Sequence, residues 1–271
     1  MSHEPDDMSA EAALGRRGAA LDESVSLATP LTMGRITGRA DAARIMRQIA
    51  SAFDLEAPEL VVHASGRDVV TFVGQADGRP VGLFAVLTRG DAGTYSAVDL
   101  YARPWPFVAI AREKLAAEDD LFRDDVDLST PYVASGPNAP YLETAPSLPG
   151  LALDVAFHSP VLTATAAGRD LVTVILKAVE ETYGTPRYHW AFPASDNRLI
   201  ALYDGSVHGH VLQIAAVLTL NQAGQIADMR IYSRPWPVTA LFRGEVYKLL
   251  RGPLGAEFWQ GQPPLAALGE Q

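Results

Sequence analysis

The chain has six histidines and no cysteine, which excludes disulfides, thiolate zinc sites, iron–sulfur clusters and cysteine nucleophiles. Acid–base chemistry falls first to His158, in the run Phe157-His158-Ser159-Pro160, because imidazole titrates near neutrality. The plainer reading of His158 is a histidine hydrogen-bonded at a loop rim, since the sequence identifies no carboxylate partner for it. His208-Gly209-His210 has the alternate spacing that puts two imidazoles on one face of a strand, as a metal pair requires. Gly209 argues for a turn there and no third ligand is assignable, so no metal site is expected. Asp204 and Asp228 are candidates for a buried acid. Strand alternation puts Asp228, Arg230 and Tyr232 on one face and Met229 and Ile231 on the other; if the apolar pair faces a cavity, the charged set faces solvent or an interface.

The elements that position these residues occur twice. Tyr101 to Pro106 reads YARPWP and Tyr232 to Pro237 reads YSRPWP, at an offset of 131 residues from Arg103 to Arg234. Upstream and without a gap, Ala85, Val86, Leu87, Thr88, Ala92 and Gly93 lie over Ala216, Val217, Leu218, Thr219, Ala223 and Gly224. Further upstream Pro30, Gly38 and Arg39 lie over Pro160, Gly168 and Arg169 at an offset of 130, one residue of indel. A self-similarity of this period outranks any local signal. The chain reads as two copies of one domain, over 21–119 and 151–252. Residues 120–150, rich in Pro, Asp and Ser, form a linker that could still drape over a domain. Residues 1–20 are expected to be disordered, and 253–271 to form an irregular tail.

Each copy predicts the same elements. Helices are expected near 40–53 and 169–183, where Ile45, Met46, Ile49 and Phe53 recur at helical spacing. Four β-rich runs follow in each copy, the second set being RYHWAFPA, NRLIALYDGSV, HVLQIAAVLTL and QIADMRIYSR. A bent antiparallel meander closed by one or two short helices makes a cone with an apolar interior, and its outer face can pack on a second copy. The expected fold is α+β: two tandem cone-shaped domains, each a curved antiparallel sheet wrapped on short helices, forming an intramolecular pseudo-dimer. The prolines of RPWP end the strand, which makes Arg103, Trp105, Arg234 and Trp236 a structural corner or interface motif.

At 271 residues the chain has room for two ordinary domains. Its formal charge of −10 repels phosphate, so neither nucleic acid nor an anionic membrane is an expected partner. No run approaches the roughly 20 apolar residues of a membrane span. A soluble, cytoplasmic protein is expected.

Phe157-His158-Ser159-Pro160-Val161, Gly168-Arg169-Asp170 opening a helix, and the strand Gly224 to Pro235 ending in Arg-Pro carry a resemblance. Each half resembles a SnoaL-like domain of the nuclear transport factor 2 superfamily, over most of 151–237 and more weakly over 21–106. The resemblance implies a pocket for an apolar small molecule. Superfamily members include ketosteroid isomerase, limonene epoxide hydrolase, polyketide cyclases, the tandem epoxide hydrolases of polyether biosynthesis and non-catalytic modules, among which fold does not choose. The carboxylate base of isomerase-type members would fall on Ser159 and Thr29, and the strand carboxylate of the epoxide hydrolases on Ile231 and Leu100. The family's acid–base dyad is therefore missing from both copies.

The second copy is richer in aromatic and imidazole groups, whereas the first aligns Ala28 with His158. The ligand pocket is accordingly expected in 151–252, lined by Tyr188, Trp190, Tyr203, Tyr232, Ile231 and Met229, with 21–119 as a degenerate structural partner. The expected function is a pocket protein for an apolar, polyketide- or terpenoid-like compound, acting as a cyclase, isomerase or hydrolase without metal or organic cofactor. A non-catalytic ligand-binding or scaffolding module is the alternative. Further homodimerisation stays open.

Overall fold

The computed structural model describes residues 20–64, 66–91, 93–123, 128–133, 141–195 and 197–261. The expected disorder of residues 1–19 and the last part of the tail, 262–271, lie outside the described residues. The first unit runs β1 (Leu21–Ala28), β2 (Ile36–Thr37), α1 (Arg39–Ala52), β3 (Pro58–Ala64), β4 (Arg67–Ala76), β5 (Arg79–Arg89), β6 (Tyr95–Arg103) and α2 (Trp105–Glu118). The second repeats the order as β7 (Leu151–His158), β8 (Ala166–Ala167), α3 (Arg169–Tyr183), β9 (Arg187–Ser195), β10 (Arg198–Val207), β11 (His210–Leu220), β12 (Ile226–Arg234) and α4 (Trp236–Leu250).

Each meander is antiparallel, and β1 and β7 add in parallel to β6 and β12. The sheets join into one, in the order β3-β4-β5-β6-β12-β11-β10-β9. The junction is the pair Ala102 and Ser233, equivalent residues of the two copies, so a pseudo-twofold axis passes through it. Alternation along the strands divides the core. In β5, Leu83, Ala85 and Leu87 face α1 and α2, while Phe84 and Val86 face the other unit together with Tyr101, Ala215, Val217 and Tyr232. Burying both faces of a sheet in this way is what lets the fused copies behave as a dimer.

Helices α2 and α4 were not predicted. They begin directly after the strands, with Pro104 and Pro235 at the cap and Pro106 and Pro237 in the first turn, where the missing N–H costs no helical bond. Every residue from Pro237 to Gly244 is buried, and a helix covered on all sides has no polar stripe to reveal its period. β1 and β7 carry no clear strand signal either, β1 being broken by Asp22, Glu23, Ser24 and Ser26 and β7 by Asp154.

The linker drapes over the molecule. Phe122 is fully buried in the first core, Tyr132 packs on the second, and the Leu142 N–H donates to the Tyr188 carbonyl at the free edge of β9. The tail docks as well: the Thr163 N–H donates to the Phe258 carbonyl, and Phe258 joins the second core. No helix among the described residues is long and apolar enough to cross a membrane.

Candidate functional site

β7 lies parallel to β12 with His158 opposite Arg230, which places His158 beside Asp228 on the same face. His158 Nε2 is 3.0 Å from Asp228 Oδ2 and its Nδ1 is 3.1 Å from Thr165 Oγ1. Burial pushes the Asp228 carboxyl up, but the His158 hydrogen bond and the nearby Arg230 and His158 charges outweigh it and hold Asp228 below its ordinary value. An ionised carboxylate only accepts, so Nε2 donates to Asp228, and whenever the ring carries a single proton Nδ1 is left to accept from the Thr165 hydroxyl. Arg230 donates through Nε to Asp228 at 3.1 Å and through Nη1 to Glu59 of the first unit. The hydroxyl–imidazole–carboxylate line is thus tied across the unit interface.

This line borders a cavity of about 210 Å³. Val73, Gly74, Pro80, Val81, Arg103 and Pro104 of the first unit form one wall, and His158, Ser159 and residues 162–165 of the second form the other. The cavity is a cleft between units, not the interior of a cone. His158 is partly shielded, with 23% of its side chain exposed.

The residues expected to line one pocket divide between two faces. Met229, Ile231 and Tyr203 border an apolar cavity of about 40 Å³ inside the second cone, with Tyr183 and Phe242. Tyr188 stands beside Tyr203, ring centroids 5.1 Å apart. Burial drives the Tyr203 hydroxyl well above its ordinary value, and that of Tyr183 to about 12. Trp190 and Tyr232 face the other unit instead. Trp190 stacks near Phe192 under Arg67, and Tyr232 packs on Phe84 under Arg103. For Tyr232 the cause is plain alternation with Met229 and Ile231. For Trp190 it is a bulge: the β9–β10 register slips between Leu202 and Tyr203, which sends Trp190 and Tyr188 to opposite faces. Pockets for drug-sized ligands run to roughly 300–1,000 Å³, so the second cone as it stands encloses no polycycle.

The RPWP residues lie on the pseudo-twofold axis. Trp105 and Trp236 stack at 5.6 Å, Arg103 lies over Tyr232 and Arg234 over Tyr101. Asp99 accepts from both Arg35 and Arg234 at 2.8 Å. The two histidines of the 208–210 run part company: His208 occupies the turn with φ of 50° and meets Glu245, while His210 Nδ1 accepts the Tyr132 N–H. Asp204 is a buried carboxylate, 5% exposed, accepting from Tyr141 Oη at 2.8 Å and His189 Nε2 at 2.9 Å. In the first unit Asp68 is buried among His63, Arg89 and Tyr95. The sequence reading missed that cluster, and it missed Thr165 and Tyr132.

Its structural neighbours are proteins with nuclear transport factor 2-like, ketosteroid isomerase-like and cystatin-like folds. An uncharacterised bacterial protein with a cystatin-like fold from Silicibacter pomeroyi is 16% identical, over 41% of this chain and 86% of that one, with a TM-score of 0.36. A steroid delta-isomerase from Pseudomonas aeruginosa is 22% identical, over 38% and 76%, with a TM-score of 0.36. An NTF2-like protein of unknown function from Cytophaga hutchinsonii is 13% identical, over 36% and 87%, with a TM-score of 0.29. No protein-family model and no curated protein matches the sequence.

Proposed function

We propose that this chain is a small-molecule pocket protein whose working site is the cleft between the units, with His158 as its acid–base group. The observation that carries the reading is His158 held at both ring nitrogens on the wall of the 210 Å³ cleft. A ligand group that displaces the Thr165 hydroxyl presents its proton to Nδ1, while Asp228 fixes the tautomer and stabilises the imidazolium that forms. Such a site serves proton-transfer steps of an isomerase, cyclase or hydrolase. The cleft is polar and small, which favours a compact, hydrogen-bonding ligand over the polyketide- or terpenoid-like compound that the resemblance implies.

A non-catalytic ligand-binding or scaffolding role is the second reading, favoured by the packed interior of the cones, where Ile45, Met46, Ile49 and Phe72 of the first unit are fully buried. NMR with a library of compact polar fragments, ligand-observed to find hits and protein-observed for the histidine ring signals, separates the two. The site reading expects hits that shift the His158 ring signals and vanish in Ala164→Trp, which obstructs the cleft. For any hit that is turned over, His158→Ala should lower kcat by about 100-fold or more. Hits that leave His158 unmoved and survive Ala164→Trp would sink the reading; turnover unchanged by His158→Ala would remove His158 as the acid–base group, and hits that bind in the cleft without being turned over would leave a binding protein.

A further inference from the structure

The pseudo-twofold axis generates a second cleft, and the two differ in what fills them. The open cleft is bordered by residues 73–74, 80–81, 103–104, 158–159 and 162–165; the equivalent positions of the other are 204–205, 211–212, 234–235, 28–29 and 32–35. The linker enters this second cleft. Tyr132 donates its hydroxyl to the Met33 carbonyl at 3.1 Å and its N–H to His210 Nδ1 at 3.0 Å, and its carbonyl accepts from the Val211 N–H at 2.9 Å. Burial works against the Arg234 charge, and the neighbours that outweigh it, Tyr101 and Asp99 first, include Tyr132. The fold itself thus places a phenol between Met33 of one unit and β11 of the other.

Transposed to the open cleft, Met33 becomes Thr163, Arg234 becomes Arg103, His210 becomes Arg79 and Val211 becomes Pro80. The first change keeps the main-chain carbonyl position that the Tyr132 hydroxyl uses at Met33. Thr163 and Arg103 both line the open cleft, and the Arg103 guanidinium has its Nε buried and without a hydrogen-bond partner among the described residues. The last two changes remove what a peptide main chain uses. Arginine donates only, so it cannot accept an N–H as His210 does, and proline has no N–H to give. At about 210 Å³ the cleft suits one ring with a short substituent.

We infer that the open cleft binds a free phenolic small molecule, in the place that its twin gives to the side chain of Tyr132. The inference rests on the cleft being the ligand site, and it names the ligand's chemical class. Phenol could also arrive as a tyrosine of a peptide, but the Arg79 and Pro80 replacements select against that source.

Isothermal titration of the full chain with p-cresol, and in parallel with the peptide acetyl-Thr-Pro-Tyr-Val-amide, tests it. The expected result is saturable binding of one p-cresol per chain, with the peptide weaker by roughly tenfold or more. Tyr132→Gly empties the second cleft and should raise the stoichiometry to two, whereas Ala164→Trp should abolish the wild-type site. Absence of p-cresol binding, binding that survives Ala164→Trp, or a peptide that binds as tightly as p-cresol overturns the inference. Should Tyr132→Gly fail to fold, Ala164→Trp and the peptide comparison still decide. If p-cresol fails while fragments without a phenol bind and are lost in Ala164→Trp, the ligand class is wrong and the cleft site stands; if every fragment also fails, both readings fall.

Discussion

Trp105 and Trp236, equivalent residues of the two units, stack on the pseudo-twofold axis with ring centroids 5.6 Å apart and planes 21° from parallel. The stack, the Ala102–Ser233 junction and the exchanged Arg–Tyr contacts all lie at the ends of β6 and β12. The units are therefore joined through core residues and not through a hinge.

That arrangement predicts shared stability. Trp105→Ala should destabilise the chain by about 3 to 5 kcal/mol, and the double variant with Trp236→Ala by less than the sum, because the two residues touch. Urea unfolding followed by far-UV circular dichroism checks this. One transition that moves as a whole supports coupled units; two transitions, of which only the first unit's moves, would show that they unfold independently.

Acid should loosen the cleft wall. Asp228 is held below its ordinary value, burial being outweighed by His158 and Arg230, and Asp68 likewise, burial being outweighed by His63, Tyr95 and Arg89. A carboxyl whose folded pKa lies below its unfolded one contributes stability that is present above the unfolded value and lost as the pH falls through the folded value. The urea midpoint should therefore decline as the pH is lowered below about 4, and Asp228→Asn should make the decline shallower. A decline of equal slope in that variant would show that Asp228 has no part in it.

Gly74 and Gly205 are equivalent, and each lies against the C-terminal end of its unit's first helix, α1 or α3. A Cβ on Gly205 would stand 2.7 Å from Tyr183 Cγ, whereas one on Gly74 would meet the Phe53 carbonyl oxygen. Gly205→Ala should cost about 1 to 3 kcal/mol as the Tyr183 ring is displaced, and Gly74→Ala more, since backbone cannot rotate away. Thermal melts of the two variants check the order; equal losses would contradict it.

Much of the scaffold is written locally. The meander strands and the helices at Arg39–Ala52 and Arg169–Tyr183 follow from period and turn residues that a short window contains, and the duplication states each twice. Alternation separates Asp228, Arg230 and Tyr232 from Met229 and Ile231 for the same reason. It did not reach Trp190, because one slipped residue in β9 reverses every side chain beyond it.

The duplicated α+β unit, the alternation of faces along its meander strands and an imidazole at His158 are all legible in the chain before folding. What surrounds His158 is set by the packing of distant strands. Its partner Asp228 lies 70 residues away, brought beside it by the parallel register of β7 on β12, and no local pattern encodes the register of two distant strands. The same holds for the clefts. Their walls come from both units, and it takes the pseudo-twofold axis to show that Tyr132 fills one while His158 and Thr165 border the other.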